Sequence, residues 1–177
     1  MSWLTHNRIS LIVIAVCVPS LVGVLFGFEV LSRNSKSTDV VEISVGDTVQ
    51  ADGYSWKLTE SVEIAGEGRA VNDIPLGTSL VAAILTVTPV GASPGDSTCD
   101  VLLSSRSSGV EREWRTVSDV ASFGYARLAD SASYCSLDGQ PFSLEVVFLT
   151  PSQTYDAATV DLDLGESDSV YRFDLKH

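Results

Sequence analysis

Hydrophobic positions follow two rhythms along this chain. Between Arg8 and Glu29 no charged side chain interrupts a run rich in Ile, Leu, Val and Phe, so the 20 residues from Ile9 to Phe28 are apolar all round. A helix of that length rises about 30 Å, the hydrocarbon thickness of a bilayer. From Val40 onward the period is two. Val41, Ile43 and Val45 alternate with Glu42 and Ser44, while Tyr54, Trp56 and Leu58 share a strand face opposite Ser55 and Lys57, and Val62 and Ile64 continue that phase. The stretch SLVAAILTVTPV, Ser79 to Val90, is apolar on both faces for much of its length, as a central strand covered from both sides would be. Further strands are expected around Val101, around Trp114, over Phe142–Phe148, around Val160–Leu164 and over Tyr171–Leu175. Turn signals such as VGD, ADG, GASPGD, LDGQP and LGESD separate them. One helical turn is expected within Val117–Asp130, capped by Ser118 or Asp119. Some seven to eight short strands without a long helix predict an all-β fold, an antiparallel β-sandwich, preceded by one transmembrane helix.

The apolar block divides the chain into a short tail (1–8), a transmembrane signal-anchor helix (9–31), a polar Ser-rich tether (32–39) and a sandwich domain (40–177). A cleaved secretory signal has a shorter apolar region that ends in small residues. Here GFEVLSR follows with no A-x-A pattern, so the helix is expected to stay as an anchor. Cys17 lies in IAVC, where Val16 stands at the position that a lipobox fills with a small residue, and the cysteine reads as a small hydrophobe in the span. Arg8 on one side balances Arg33 and Lys36 on the other under the positive-inside rule. The cysteine pair and the acidic, strand-rich body decide for a C-terminal domain outside the cytoplasm. With so short a tail, no cytoplasmic signalling domain is expected. Gly23 and Gly27, four residues apart with Ser20 nearby, offer the small-residue face by which two membrane helices pack, so a homodimer through the span is a candidate association.

Charge narrows the partners. Eleven basic residues face 23 acidic ones in a chain of 177, a net charge of −12. Such a surface repels the phosphates of nucleic acid, so nucleic-acid binding is not expected, and it favours solubility, cations or basic partners. Of the three cysteines, Cys17 is in the apolar block, which leaves Cys99 and Cys135 as an even pair. Outside the cytoplasm the pair is expected to form a disulfide, and two buried free thiols are the alternative.

Catalytic constellations do not assemble. GASPG, Gly91–Gly95, matches the G-x-S-x-G elbow of serine hydrolases, but the residue whose N–H would help bind the oxyanion is Pro94, which has none. The two histidines, His6 beside the apolar block and His177 at the end, leave no general base for a serine or cysteine nucleophile. No enzyme and no cofactor are expected. Asp161, Asp163, Glu166 and Asp168 cluster, but without calcium-loop spacing. Asp161 and Asp163 read as the solvent face of an amphipathic strand, with only a weak claim as cation ligands. Trp56 reads as core. Trp114 shares a strand face with Arg112 and Thr116, and Arg112 with Trp114 forms the candidate contact for a ligand or partner.

The early strand pair VGDTVQADGYSWKLTESVE, the apolar strand SLVAAILTVTPV, the segment SSGVEREW and the late VVFLTP together resemble a broad group of bacterial envelope proteins, over most of Val41–Leu175. That group joins an N-terminal membrane helix or lipoprotein signal and a polar tether to an immunoglobulin-like domain of unknown function. The resemblance implies an immunoglobulin-like sandwich at the bacterial cell membrane and carries no catalytic residues. The expected function is non-enzymatic: a single-pass, membrane-anchored extracytoplasmic domain that binds a protein partner or envelope component. The alternative is a small-ligand module for cell-wall carbohydrate or a divalent cation.

Overall fold

The computed structural model describes residues 39–65, 74–91, 99–107, 109–165 and 167–175. The apolar block with Ser20, Gly23 and Gly27, the tail before it, residues 32–38 of the tether and Glu166 lie outside the described residues. Among the described residues no helix is long and apolar enough to cross a membrane.

Ten strands are described: β1 (Asp39–Ile43), β2 (Thr48–Ala51), β3 (Tyr54–Ala65), β4 (Thr78–Pro89), β5 (Asp100–Ser107), β6 (Val110–Arg115), β7 (Ser131–Ala132), β8 (Phe142–Pro151), β9 (Ala158–Asp163) and β10 (Ser169–Asp174). They form two five-stranded sheets, β1-β10-β9-β5-β6 and β2-β3-β4-β8-β7, packed as a β-sandwich. Both sheets are mixed, which corrects the expected antiparallel arrangement. β1 runs parallel to β10, from Asp39 opposite Ser169 to Ile43 opposite Phe173, and β7 runs parallel to β8. Parallel neighbours cannot be joined by a hairpin, and these partners are distant in sequence, so the alternation within each strand carries no trace of the pairing direction.

Trp56, Leu85, Leu103, Phe148, Val160 and Phe173 fill the space between the sheets, each at most 1% exposed. β2 and β3 meet through Asp52 (φ 49°) and Gly53 (φ 76°), a two-residue hairpin whose left-handed positions suit Asp-Gly. A bulge between Leu58 and Glu60 then changes the face that β3 presents. Before it, Trp56 and Leu58 pair with Val87 and Leu85, which point into the sandwich; beyond it, Val62 and Ile64 pair with Ala82 and Leu80 on the opposite side. One extra residue reverses the alternation, so Val62 and Ile64 do not continue the face of Trp56.

That outer side holds a second, smaller core. Leu80, Ala82 and Val147 of the sheet are covered by Val120, Ile74 and half-buried neighbours that include Val117, Phe123 and Tyr125. Residues 116–130 act as a strap. The chain leaves the first sheet after β6, bridges to β8 at Thr116 opposite Phe148, donates the Val117 N–H to the Val147 carbonyl at 2.7 Å, and runs over the second sheet. Its helical turn is a 3₁₀ turn at Ala121–Phe123 without a side-chain cap, so neither Ser118 nor Asp119 takes the expected role; Val120 is the capping residue and is buried. Burial of Val120, rather than capping chemistry, sets where the turn begins.

Cys99, just before β5, and Cys135, just after β7, are joined in a disulfide with their Cα atoms 5.8 Å apart. The bond ties the two sheets at one end of the sandwich.

Candidate functional site

Edge strand β6, VEREWR, sorts its side chains by alternation. Glu111 points to the outer face of the first sheet, where Arg106 and Arg172 hold its carboxylate at 3.1 and 2.7 Å. The hydrogen bond from Arg106 is the main cause that keeps the Glu111 carboxyl below the usual range; partial burial pushes the other way, and Arg172 adds to the lowering. Arg112 and Trp114 point to the opposite face, across from Ser105 and Leu103 of β5. Both glutamates that flank Arg112 in sequence therefore lie on the wrong side to neutralise it, and among the described residues the Arg112 side chain has no ion pair or hydrogen bond.

Arg112 and Trp114 line one groove of about 260 Å³ with Ser105 and the β8–β9 turn, Ser152, Gln153 and Thr154. Among the described residues no carboxylate belongs to this lining. Trp114 is half-buried, its inner edge against the main core. The turn is pinned: the Ser152 N–H donates to the Gly77 carbonyl at 3.0 Å, and the Thr154 hydroxyl to the Pro151 carbonyl at 2.6 Å. At its tip Gln153 has φ 72°, one of two non-glycine residues with positive φ among the described residues, and unlike Asp52 it is not in a hairpin that requires it. Strain of this kind costs about 1–3 kcal/mol and persists only where the surroundings impose it. The groove thus combines a fixed lip, an aromatic wall and one uncompensated guanidinium, a group whose chemistry complements anions, in a protein whose net charge is −12.

The acidic cluster near the C-terminus behaves differently from the expectation. Asp161 is not on a solvent face: it is 6% exposed. It sits on β9 between β10 and β5, so Arg172 reaches it from one side, Nε at 2.8 Å and Nη2 at 2.6 Å, and the Ser104 hydroxyl from the other at 2.7 Å. A carboxylate held in that way is engaged by its own protein rather than offered to a cation. Asp163 accepts the Gly165 N–H at 3.0 Å. Among the described residues no three His, Cys, Asp or Glu side chains converge as metal ligands.

Two residues of note escaped the sequence. Glu145 of β8 is fully buried beneath the strap, where Tyr125 (2.7 Å), the Leu128 N–H (2.8 Å) and Ser131 all donate to its carboxylate. Desolvation pushes this carboxyl up, but the bonds from Ser131, Tyr125 and Leu128 and the charge of Arg127 outweigh it and hold it below the ordinary range. Tyr125 is pushed well above a free phenol by its burial and by Glu145. Arg127 itself donates to the Glu145 and Val117 carbonyls at 2.7 and 3.1 Å, closing part of the β8 edge. The available signal was Val147 and Leu149, which share the Glu145 face and are too apolar for a solvated one. The second residue is Tyr134, 72% exposed beside Cys135; alternation carries no sign of it, because it lies in a loop.

No protein-family model matches this sequence. No curated protein matches it either. Among solved structures, an uncharacterized β-sandwich protein from Clostridium difficile 630 is similar at a TM-score of 0.42 and 9% identity, over 81% of this chain and 97% of that one. A lipoprotein candidate from Staphylococcus aureus NCTC 8325 is similar at a TM-score of 0.44 and 11% identity, over 73% of this chain and 88% of that one. Neither likeness bears on function.

Proposed function

We propose that the chain is a non-enzymatic, membrane-anchored recognition module: a β-sandwich held outside the bacterial cell membrane by the helix of residues 9–31, which binds an anionic segment of a protein partner in the Arg112–Trp114 groove. The observation that carries this reading is the unpaired Arg112 side chain beside Trp114 in a groove to which the described residues contribute no carboxylate. Such a site favours a partner segment with an Asp or Glu side chain next to an apolar one, the guanidinium taking the carboxylate and the indole the apolar neighbour. The disulfide supports an oxidising compartment. We read the sandwich as immunoglobulin-like, because two facing sheets, a disulfide between them and the buried Trp56 are features of that class; the parallel edge strands are where it departs. Pairing of two chains through Ser20, Gly23 and Gly27 belongs to the same reading.

The site is tested by titrating full-length protein in detergent micelles with envelope peptides fractionated by charge, following Trp114 fluorescence in a Trp3→Phe/Trp56→Phe background, which removes the other two tryptophans. Acidic fractions are expected to shift the emission, and Arg112→Gln to weaken binding about tenfold or more, the share of one charge-assisted contact. Equal responses to acidic and neutral fractions, or indifference to Arg112→Gln, would contradict it.

A further inference from the structure

Beyond the Thr116–Phe148 crossing, on the disulfide side, the same flank of the sandwich carries a different kind of site. Val101 lines this end and Ser105 the Arg112 groove. They are four residue steps apart on β5, about 13 Å. Here Tyr134 stands between two recesses, a larger one of about 370 Å³ bordered by Ser133, Ser136, Asp138, Gln140 and Phe142, and a smaller one of about 140 Å³ against the disulfide. We propose that this surface binds a neutral saccharide, with Tyr134 as the stacking platform.

Three observations carry the proposal. Tyr134 is the most exposed aromatic residue among the described ones, and the half-buried Phe142 offers a second aromatic wall in the same recess. Exposure of a large ring costs free energy in water, and the C–H face of a pyranose is an apolar surface that can cover it. Apart from Ala132 and Asp138, the rest of the larger recess is lined by short hydroxyls and one carboxamide. Ser133, Ser136 and Gln140 have side chains without an internal hydrogen-bond partner among the described residues, and each both donates and accepts, as sugar hydroxyls do. Finally, the platform is fixed before any ligand arrives: Cys135 is tied to Cys99, the Gly139 N–H donates to the Tyr54 hydroxyl at 3.0 Å, and Ser131 is bonded to Glu145. Fixed walls reduce the ordering cost of binding.

Charge selects the class of sugar. The larger recess holds Asp138, the smaller one Asp100, and among the described residues neither is lined by a basic side chain. An acidic sugar or a phosphorylated polymer is repelled, whereas a neutral or N-acetylated one is accepted. The preference is the reverse of that at Arg112, so the two ends of the flank take different ligands.

Full-length protein in detergent micelles, titrated by ligand-observed NMR with chitotetraose, maltotetraose and tetragalacturonate, tests the assignment. At least one neutral oligosaccharide is expected to bind while tetragalacturonate does not. Tyr134→Ala should weaken that binding about tenfold, Tyr134→Trp should retain it, and Arg112→Gln should leave it unchanged. Gln140→Ala, at an exposed position, provides a second variant that should weaken binding even if Tyr134→Ala disturbs the loop. Absence of binding by both neutral probes, binding of the acidic one alone, or binding unaffected by Tyr134→Ala and Gln140→Ala would overturn the proposal.

Discussion

Arg172 joins residues of three strands by its side chain alone, contacting Asp161 of β9 and Glu111 of β6 from its place on β10. Asp161 and the Arg172 side chain are both largely out of solvent, so removing one partner leaves the other charge without compensation. Arg172→Met is expected to destabilise by about 3–5 kcal/mol, read by urea unfolding of full-length protein in detergent micelles. The double variant Arg172→Met/Asp161→Leu should recover at least half of that loss, because the stranded charge is gone; a loss in the double variant equal to the sum of the two single ones would show that the pair does not act as a unit. Glu145 is the corresponding residue under the strap. Its folded pKa lies below the unfolded one, so its contribution is complete above the unfolded value of about 4.3 and is lost as the pH falls through the lower folded value. Glu145→Gln should cost about 2 kcal/mol at neutral pH, since a neutral amide meets three donors arranged for a carboxylate. The variant should also show a flatter decline in stability below pH 4, measured by unfolding across the acid range; an unchanged acid profile would assign that decline to other carboxylates.

Among the elements, the disulfide and the strap do the work of joining sheets. Cys99 and Cys135 are 36 positions apart, and closing a loop of that size is worth roughly 4 kcal/mol in the chain-entropy description. Paired replacement by serine is expected to lower stability by about 2–4 kcal/mol and to raise hydrogen exchange first around residues 131–135, where β7 contributes a pairing of just two residues. Uniform exchange across both sheets would show instead that the bond does not act locally. At this scale the sequence announces much of the fold. Both faces of β4 are apolar because each faces a core, the ADG turn sits where the β2–β3 hairpin closes, and Arg112 and Trp114 share the groove face that their spacing implies. The remainder was hidden for a physical reason. Alternation reports which residues of a strand point the same way, but not what covers that face, so Asp161 between two strands and Glu145 beneath the strap both pass for solvated carboxylates. Nor does alternation reveal a bulge: Val62 and Ile64 keep the phase of Trp56 in the sequence and lose it in space at Leu58/Glu60.

For the whole molecule, the distribution of charge is the feature that bears on function. Basic side chains are few, and Arg106, Arg127 and Arg172 are engaged by carboxylates or backbone carbonyls. Arg112, like Arg115 and Lys57, has no ion pair among the described residues, but it alone of the three lines a groove beside Trp114 and the strained Gln153, on a flank whose far end carries the exposed Tyr134. Against a net charge of −12, the unpaired guanidinium is a local exception in the charge of the molecule. The central claim, that the Arg112–Trp114 groove holds a partner protein, is tested most directly by photo-crosslinking in living cells, with a benzophenone amino acid placed at Gln153 in the groove or at Lys57 on the second sheet. A discrete crosslinked partner is expected from position 153, absent from position 57 and lost on Arg112→Gln. The same bands from both positions, or none from position 153 in cells that express the protein, would contradict it.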